Sequence, residues 1–149
     1  MVSRTLFSET YTIPAEQTSE RLFGVLPGGN SSADRMVIAM ANGYFFAVVE
    51  SLCAREMQTH LDSNAETLVL SSMQCRHRAP IPPGAIVNIS CWITDVADQK
   101  ATFRVQASDE QEIVCDGLIQ LAIVQRSQIE KRLQRKRDAI ARRELFANA

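Results

Sequence analysis

Residues 44–57 read YFFAVVESLCAREM, a segment that is apolar on nearly every side of a helix until Arg55. Such a segment predicts a helix that the rest of the domain covers on most of its surface. Glu50 lies in its middle, and its neighbours three and four positions away are all apolar: Phe46, Ala47, Cys53 and Ala54. Because burying a carboxylate there is costly unless it is paired or protonated, Glu50 is the first candidate for a functional residue. The alternative is a structural glutamate that pairs with a basic residue or a backbone amide of another element.

The segments around this helix predict the strands of an antiparallel sheet. Strand candidates lie at 5–13, 67–77, 85–94, 101–107 and 113–125. The helix itself is predicted over 43–61, with Asn42 as its N-cap. Two strands alternate apolar and polar residues, which indicates that one face of the sheet lies on the core. This order predicts an α+β domain with one helix in the concavity of a curled sheet.

Turn-forming residues separate these elements. Residues 98–99 and 108–110 are predicted to be the hairpin turns between the last three strands. Residues 16–30, which run into the turn-forming PGGNSS at 27–32, are predicted to form a loop or lid with a short helix at most.

Length and composition fit one domain. A chain of 149 residues is near the usual domain size and can bury a sizeable apolar core. It has neither a run of about eighteen apolar residues nor a charged-then-apolar leader, so neither a membrane span nor a secretory signal is expected. Its four cysteines lack both CxxC spacing and a set of histidine companions, which indicates reduced thiols in a cytoplasmic protein without a metal site: Cys53, Cys75, Cys91 and Cys115.

The charge is distributed unevenly. Residues 126–144 hold eight Lys or Arg and three Asp or Glu, a net charge of +5, so residues 1–125 carry −6 within the overall −1. We therefore predict a domain over 1–125 and a basic helical extension over 126–149. A nucleic-acid partner is not expected, because the body is acidic and no aromatic residues interleave with the basic tail.

The extension has the pattern of a helix with a thin apolar stripe at Ile129, Leu133 and Ile140. Ser127 and Glu130 are spaced as a capping box at its start. Two roles are open for it. The stripe can pack on the body or on a second subunit, or the positive charge can attract a phosphate-bearing substrate.

Three motifs complete the sequence reading. Residues 41–43 read ANG, and Glu50 follows Asn42 by eight residues. Residues 77–84 read HRAPIPPG, and Gly117 begins a stretch that runs into Arg126. The combination resembles the fluoroacetyl-CoA thioesterase-like branch of the hot-dog thioesterase superfamily over roughly residues 37–132. The resemblance implies a hot-dog fold and an acyl-CoA (or acyl-carrier) thioesterase that works as a homodimer or a dimer of dimers. It implies no cofactor other than coenzyme A as part of the substrate.

In that branch the site consists of a hydroxyl residue at the helix start, a helix glutamate and a histidine at a strand end. The glutamate and the histidine match Glu50 and His77, while the third position holds Asn42. After Gly117 the branch often has a histidine and an arginine. Here the chain continues with Leu118, Ile119 and Gln120, which favours a larger and more apolar acyl group than fluoroacetyl.

Four further residues are candidates for substrate binding. The backbone amides of Gly43 and Tyr44 lie at the predicted helix start, where free N–H groups and the helix dipole favour a developing oxyanion. Phe46 is a candidate for the acyl pocket, with core packing as the alternative for both aromatic residues. Gly117 is the fourth candidate, because it begins the last of the three segments that resemble the family.

The residue types suggest a mechanism. Glu50 can activate water as a base, and His77 can polarise the carbonyl or protonate the departing thiolate. The carboxamide of Asn42 is a poor nucleophile, so water is expected to attack directly, with an acyl anhydride on Glu50 as the alternative. Asn42 and Glu50 are about 12 Å apart along a helix, so a second subunit or a folded-back loop must complete the site. A hot-dog module that binds acyl-CoA without turnover and a hot-dog hydratase or dehydratase are the alternatives.

Overall fold

The computed structural model describes residues 4–28, 36–62 and 64–149. In chain order the elements are strand β1 (Arg4–Thr12), helix α1 (Ser19–Gly24), helix α2 (Asn42–Gln58), strands β2 (Glu66–His77), β3 (Ile86–Ala97), β4 (Lys100–Ser108) and β5 (Ile113–Gln125), and helix α3 (Arg126–Ala147). From residue 29 onward, the predicted turn PGGNSS lies outside the described residues.

The five strands form one antiparallel sheet in the order β1-β3-β4-β5-β2. One face of the sheet is buried because its strands alternate, and the central strands supply the largest share of this face: Val87, Ile89, Cys91, Ala101, Phe103, Val105 and Ala107. β1 and β2 are the two edges. The predicted α+β architecture, with a central helix against an antiparallel sheet, is confirmed.

Helix α2 packs on this inner face through one stripe of residues spaced by four. Phe45, Val49, Cys53 and Met57 are buried and belong to the same core as the sheet residues. The sulfur atoms of Cys53 and of Cys91 on β3 are 3.6 Å apart, so the helix lies directly over the middle of the sheet. Each fully buried Phe, Val or Met contributes roughly 1.5–3 kcal/mol to the free energy of unfolding.

The ends of α2 differ from the prediction. Ala41, not Asn42, is the N-cap, with an extended backbone (φ −71°, ψ 137°) and no side chain that caps the helix. The helix starts there because the Ala41 amide donates to the Gln17 carbonyl at 2.9 Å, which holds Ala41 outside the helix. Asn42 is thus the first helical residue. The helix ends at Gln58, three residues before the predicted boundary.

Hairpins connect the last three strands. Asp98 and Gln99 both have positive φ, 52° and 63°, in the predicted turn between β3 and β4. The next predicted turn is displaced, because β4 continues to Ser108. The loop after it is closed by the Asp109 carboxylate, which accepts hydrogen bonds from the amides of Gln111 and Glu112 at 2.8 and 2.9 Å.

Helix α3 follows β5 without a linker. Its N-cap is Gln125 and no side chain caps it, so the predicted capping box of Ser127 and Glu130 is wrong. The Arg126 amide donates instead to the Ala65 carbonyl at 2.8 Å, which starts the helix before Ser127. No residue of α3 is buried, and the stripe residues Leu133 and Ile140 are each 45% exposed. The division into a domain over 1–125 and an extension over 126–149 stays a prediction.

None of the helices in the described ranges is long and apolar enough to cross a membrane.

Gly117 allows β5 to approach β2 closely. It lies opposite Cys75 in the register of the two strands. A Cβ atom at this position would lie 2.6 Å from the Cys75 Cα and 2.8 Å from its Sγ, closer than real Cβ atoms come. Because the obstacle includes backbone, the strands must separate to admit any side chain.

We expect Gly117→Ala to lower the free energy of unfolding by about 1–3 kcal/mol, since overpacking forces the backbone of β2 and β5 apart. Urea unfolding checks this. Gly24→Ala is the matched control, because no atom lies within 4 Å of a Cβ added there. Equal midpoints for Gly117→Ala and the wild type would show that the strands absorb the methyl group without cost.

Candidate active site

Three backbone hydrogen bonds hold the segment before α2, one to the residues that follow β2 and two to the residues around the start of α1. The Met40 amide donates to the Ile81 carbonyl at 2.7 Å. The Ser19 and Ala41 amides donate to the carbonyls of Ala39 and Gln17, both at 2.9 Å. These bonds fix residues 39–41 between the loop around α1 and the HRAPIPPG segment. They therefore determine which residues meet at the end of the sheet.

A cavity of about 420 Å³ opens at this junction. Asn42 and Gly43 line it from α2, and His77 and Arg78 line it from the end of β2. Most of the remaining lining is apolar: Phe23, Met36, Val37, Ala39, Met40, Ala41, Ala79, Pro80 and Ile81. The cavity is thus a largely apolar space with polar groups of two elements on its wall.

The first amides of α2 are available to a ligand. The first hydrogen bond of the helix runs from the Phe45 amide to the Ala41 carbonyl at 3.1 Å. Within the described ranges, the amides of Asn42, Gly43 and Tyr44 have no acceptor, because no side chain caps the helix. Free amides at the start of a 17-residue helix are donors that favour negative charge.

His77 lies beside the first turn of α2. The centroid of its ring is 5.6 Å from that of Phe45, edge to face, and 5.5 Å from that of Phe46. Burial lowers the pKa of the His77 imidazole below its ordinary value of 6.5. No hydrogen-bond partner for the ring is found in the described part of the chain, so both nitrogens can serve a ligand. At neutral pH the imidazole is neutral and can donate one hydrogen bond.

Glu50 lies one turn beyond Phe46 on the same side of α2. The expectation that the chain buries it is wrong, because the side chain is only half-buried. It does not line the cavity that Asn42 and His77 share. Across residues 4–28, 36–62 and 64–149, Glu50 has no ion pair and no side-chain hydrogen bond, which disagrees with a structural glutamate satisfied within one chain.

Tyr44 and Phe46 are half-buried and pack against the core, and neither lines the cavity. Gly117 is also outside the lining and has the packing role described above. Leu118 is 46% exposed and Ile119 is buried in the core. The apolar residues after Gly117 therefore do not line this cavity of the single chain, and a larger acyl group than fluoroacetyl stays a prediction.

Arg78 also lines the cavity, although it is not among the candidates predicted from the sequence. Its guanidinium group binds the carboxylate of Asp116 on β5, with both Nε and Nη2 at 2.7 Å from Oδ2. Its only signal in the sequence was its place next to His77. The partner lies 38 residues away on another strand, so the ion pair could not be read from the sequence.

No group of three or more His, Cys, Asp or Glu side chains in the described ranges is arranged to hold a metal ion.

The sequence and the fold of this chain are similar to those of known proteins. The sequence model of the family FlK, described as fluoroacetyl-CoA-specific thioesterase, matches residues 30–127. The chain belongs to this family. A fluoroacetyl-CoA thioesterase of Streptantibioticus cattleyicolor is 21% identical over 133 residues, which cover 89% of this chain and 92% of the relative. The predicted superfamily branch and the thioester hydrolase class are thereby confirmed.

Solved structures confirm the hot-dog fold. A structure of the fluoroacetyl-CoA thioesterase superposes with a TM-score of 0.80 at 20% identity, covering 91% of this chain and 96% of that one. A hot-dog-like protein from Thermanaerovibrio acidaminovorans gives a TM-score of 0.74 at 16% identity and 91% coverage of both chains. A thioesterase superfamily member from Thermus thermophilus gives 0.75 at 16% identity, covering 90% and 91%.

The lowered pKa of His77 predicts a pH dependence of stability. The unfolded chain binds a proton near pH 6.5, whereas the folded chain binds it only at lower pH. The free energy of unfolding should therefore decrease as the pH falls below about 6.5. Urea unfolding between pH 5 and 7.5 should show a smaller decrease for His77→Gln than for the wild type.

An NMR titration measures the same group directly, with His60→Gln used to assign the two histidine signals. A His77 pKa at or above 6.5 would contradict the burial argument.

Proposed function

We propose that this protein hydrolyses acyl thioesters of coenzyme A, or of an acyl carrier, at the junction between the start of α2 and the end of β2. The observation that carries the proposal is that two groups without a hydrogen-bond partner among the described residues line one cavity: the free amides at the start of α2 and the His77 imidazole. Thioester hydrolysis needs donors for the oxyanion, a base for water and a largely dry site. The apolar cavity wall meets the last requirement and suits an apolar acyl group.

In the proposed reaction the amides of Gly43, which lines the cavity, and of the next residue, Tyr44, donate to the carbonyl oxygen as it becomes negative. Their position at the helix start adds the favourable end of the helix dipole. The neutral His77 donates a hydrogen bond to the carbonyl or gives a proton to the departing thiolate. Asn42 positions the attacking water, and Glu50 removes its proton. No covalent intermediate forms on Asn42, because a carboxamide is a poor nucleophile.

Glu50 requires a second subunit in this scheme. It is about 12 Å along the helix from Asn42, too far for both to reach one carbonyl carbon. The α2 face that carries Phe46 and Glu50 is directed toward β2. Phe46 contacts His77 at the end of that strand. Ala54, one turn beyond Glu50, lines a crevice together with the first residues of β2.

The edge strand β2 is the proposed dimer contact. It has 12 residues, contains no proline, and exposes Leu70 on its surface. Long open edges of this kind favour pairing with another chain. An antiparallel pair about a two-fold axis would place the Glu66 end of one β2 beside the His77 end of the other. We therefore propose a homodimer in which the partner subunit's Glu50 completes each site. Association into a dimer of dimers stays a prediction.

A reducing, cytoplasmic location is part of the proposal. The four cysteines are free thiols, although the sulfur atoms of Cys53 and Cys91 are close enough to touch. The wide spacing of the four cysteines in the sequence, without a CxxC pair, is typical of thiols in a reducing compartment.

We expect Glu50→Gln to reduce kcat by a factor of about 10²–10⁴ while the protein stays folded. The amide keeps the shape of the side chain but cannot accept the proton of water. Purified protein should be assayed with a panel of acyl-CoA esters from short to long, with products separated by chromatography, and circular dichroism should verify the fold. Ser51→Ala, at the adjacent exposed helix position, is the control.

His77→Ala should lose less activity than Glu50→Gln. Near-native turnover by Glu50→Gln would remove Glu50 from the mechanism. Tight binding of an acyl-CoA without hydrolysis by the wild type would favour a binding module. Addition of water to an unsaturated acyl-CoA would favour a hydratase.

Subunit exchange tests whether the site is shared. Asn42→Ala and Glu50→Gln, each inactive alone, should together recover about one quarter of wild-type activity, because half of the randomly formed dimers are mixed and each has one intact site. The control mixture of Glu50→Ala with Glu50→Gln has no intact site in any arrangement. A fully active monomer in light scattering, or no recovery in a mixture proven to contain heterodimers, would reject the shared site.

A further inference from the structure

Arg78 is the one charged residue on the wall of the site cavity, counting the residues that the structure describes. It directly follows His77 at the end of β2, and its own amide donates to the Val114 carbonyl at 2.9 Å. The backbone at Arg78 is therefore fixed to β5. Arg78 thus brings a positive charge to the cavity wall, where the other residues are apolar or neutral.

The side chain of Arg78 is held by Asp116. Both the Nε and the Nη2 atoms lie 2.7 Å from the same carboxylate oxygen, Oδ2. Asp116 is the more buried partner, with its side chain 26% exposed against 50% for Arg78. The carboxylate thus orients the planar group at its Nε side. An arginine has five N–H donors, so those on Nη1 and one on Nη2 remain directed away from Asp116.

A surface ion pair alone contributes little to stability. This one differs from an ordinary surface pair, because its arginine has unused donors, a fixed backbone and a place beside the proposed reaction centre. A planar guanidinium with free N–H groups matches the two oxygens of a carboxylate or a phosphate. Asp116 lies opposite Arg76 in the strand register but binds Arg78, so the pair is specific to the residue that lines the cavity.

We infer that Arg78, positioned by Asp116, is a binding residue for an oxyanion group of the thioester substrate. This inference rests on the proposed thioesterase function. Two parts of a substrate could supply the group: the phosphates of coenzyme A or a carrier's phosphopantetheine, or a terminal carboxylate on the acyl chain. Both make the same charge-assisted hydrogen bonds to the guanidinium, so the choice between them is experimental.

Four thioesters separate the two sources. Butyryl-CoA and succinyl-CoA both carry phosphates, and butyryl- and succinyl-N-acetylcysteamine carry none. Within each pair only the succinyl ester has an acyl carboxylate. If Arg78 binds the phosphates, Arg78→Ala should lower kcat/KM about 10-fold or more for both CoA esters and spare both cysteamine esters. If Arg78 binds the carboxylate, Arg78→Ala should lower kcat/KM for both succinyl esters and spare both butyryl esters. Both patterns support the inference.

Matched variants separate binding from structure. Arg76→Ala removes the arginine opposite Asp116 that does not line the cavity, and it should leave all four kcat/KM values unchanged. Asp116→Asn should give a smaller loss with the same substrate pattern as Arg78→Ala, mainly in KM, because it loosens the guanidinium without removing it. Equal losses on all four esters, or no loss on any, would overturn the inference.

Binding measurements keep this test independent of turnover. The affinities of butyryl-CoA and succinyl-CoA for Glu50→Gln, with and without Arg78→Ala, can be measured by calorimetry. If the wild type hydrolyses none of the esters, the thioesterase proposal fails. A drop in affinity on losing Arg78 would then still support the binding role, and unchanged affinity for both would reject it.

Discussion

The packing of one apolar stripe of α2 against the sheet is the constraint on which the other features depend. Phe45, Val49 and Cys53 can face the core only in one rotation of the helix. That rotation directs Phe46 and Glu50 toward β2 and leaves the free amides of the first turn at the end of the sheet. The Met40–Ile81 hydrogen bond then fixes the position of the helix start along the helix axis, so that it lies beside His77. Core packing and site geometry are consequences of the same contact.

Much of the fold could be predicted because its signals are local. Alternation in β3 and β4 and the long apolar helix depend on residues within a few positions of one another. The helix caps could not be predicted in the same way. Asn42 and Ser127 have the right residue types for caps, yet backbone contacts with Gln17 and Ala65 decide where the two helices begin. Hydrogen bonds to distant residues therefore determine these helix starts in place of the local capping preference.

The residues of the candidate site differ in the same way: some have local signals in the sequence and others depend on distant contacts. His77 and Asn42 were found from their motifs, and they share a cavity. Glu50 was found from its apolar neighbours, but the inferred burial was wrong because helical neighbours describe only the helix and not what covers it. Arg78 was passed over because its partner comes from another strand. Sequence reasoning identifies residue types at marked positions, whereas the pairing of charges depends on tertiary structure.

The unpaired state of Glu50 bears on how assembly and chemistry are connected. Arg55, the basic residue of the same helix, binds Glu9 and Glu56 and so is not available to Glu50. A carboxylate without a partner is tolerable while water reaches it, as in the single chain. Covering it with a second chain removes that water, which raises the cost of its charge unless the second chain supplies a partner or a substrate. In the proposed homodimer the chain that covers Glu50 also supplies the Asn42 and His77 that act with it, so an isolated subunit would lack activity even with every site residue present.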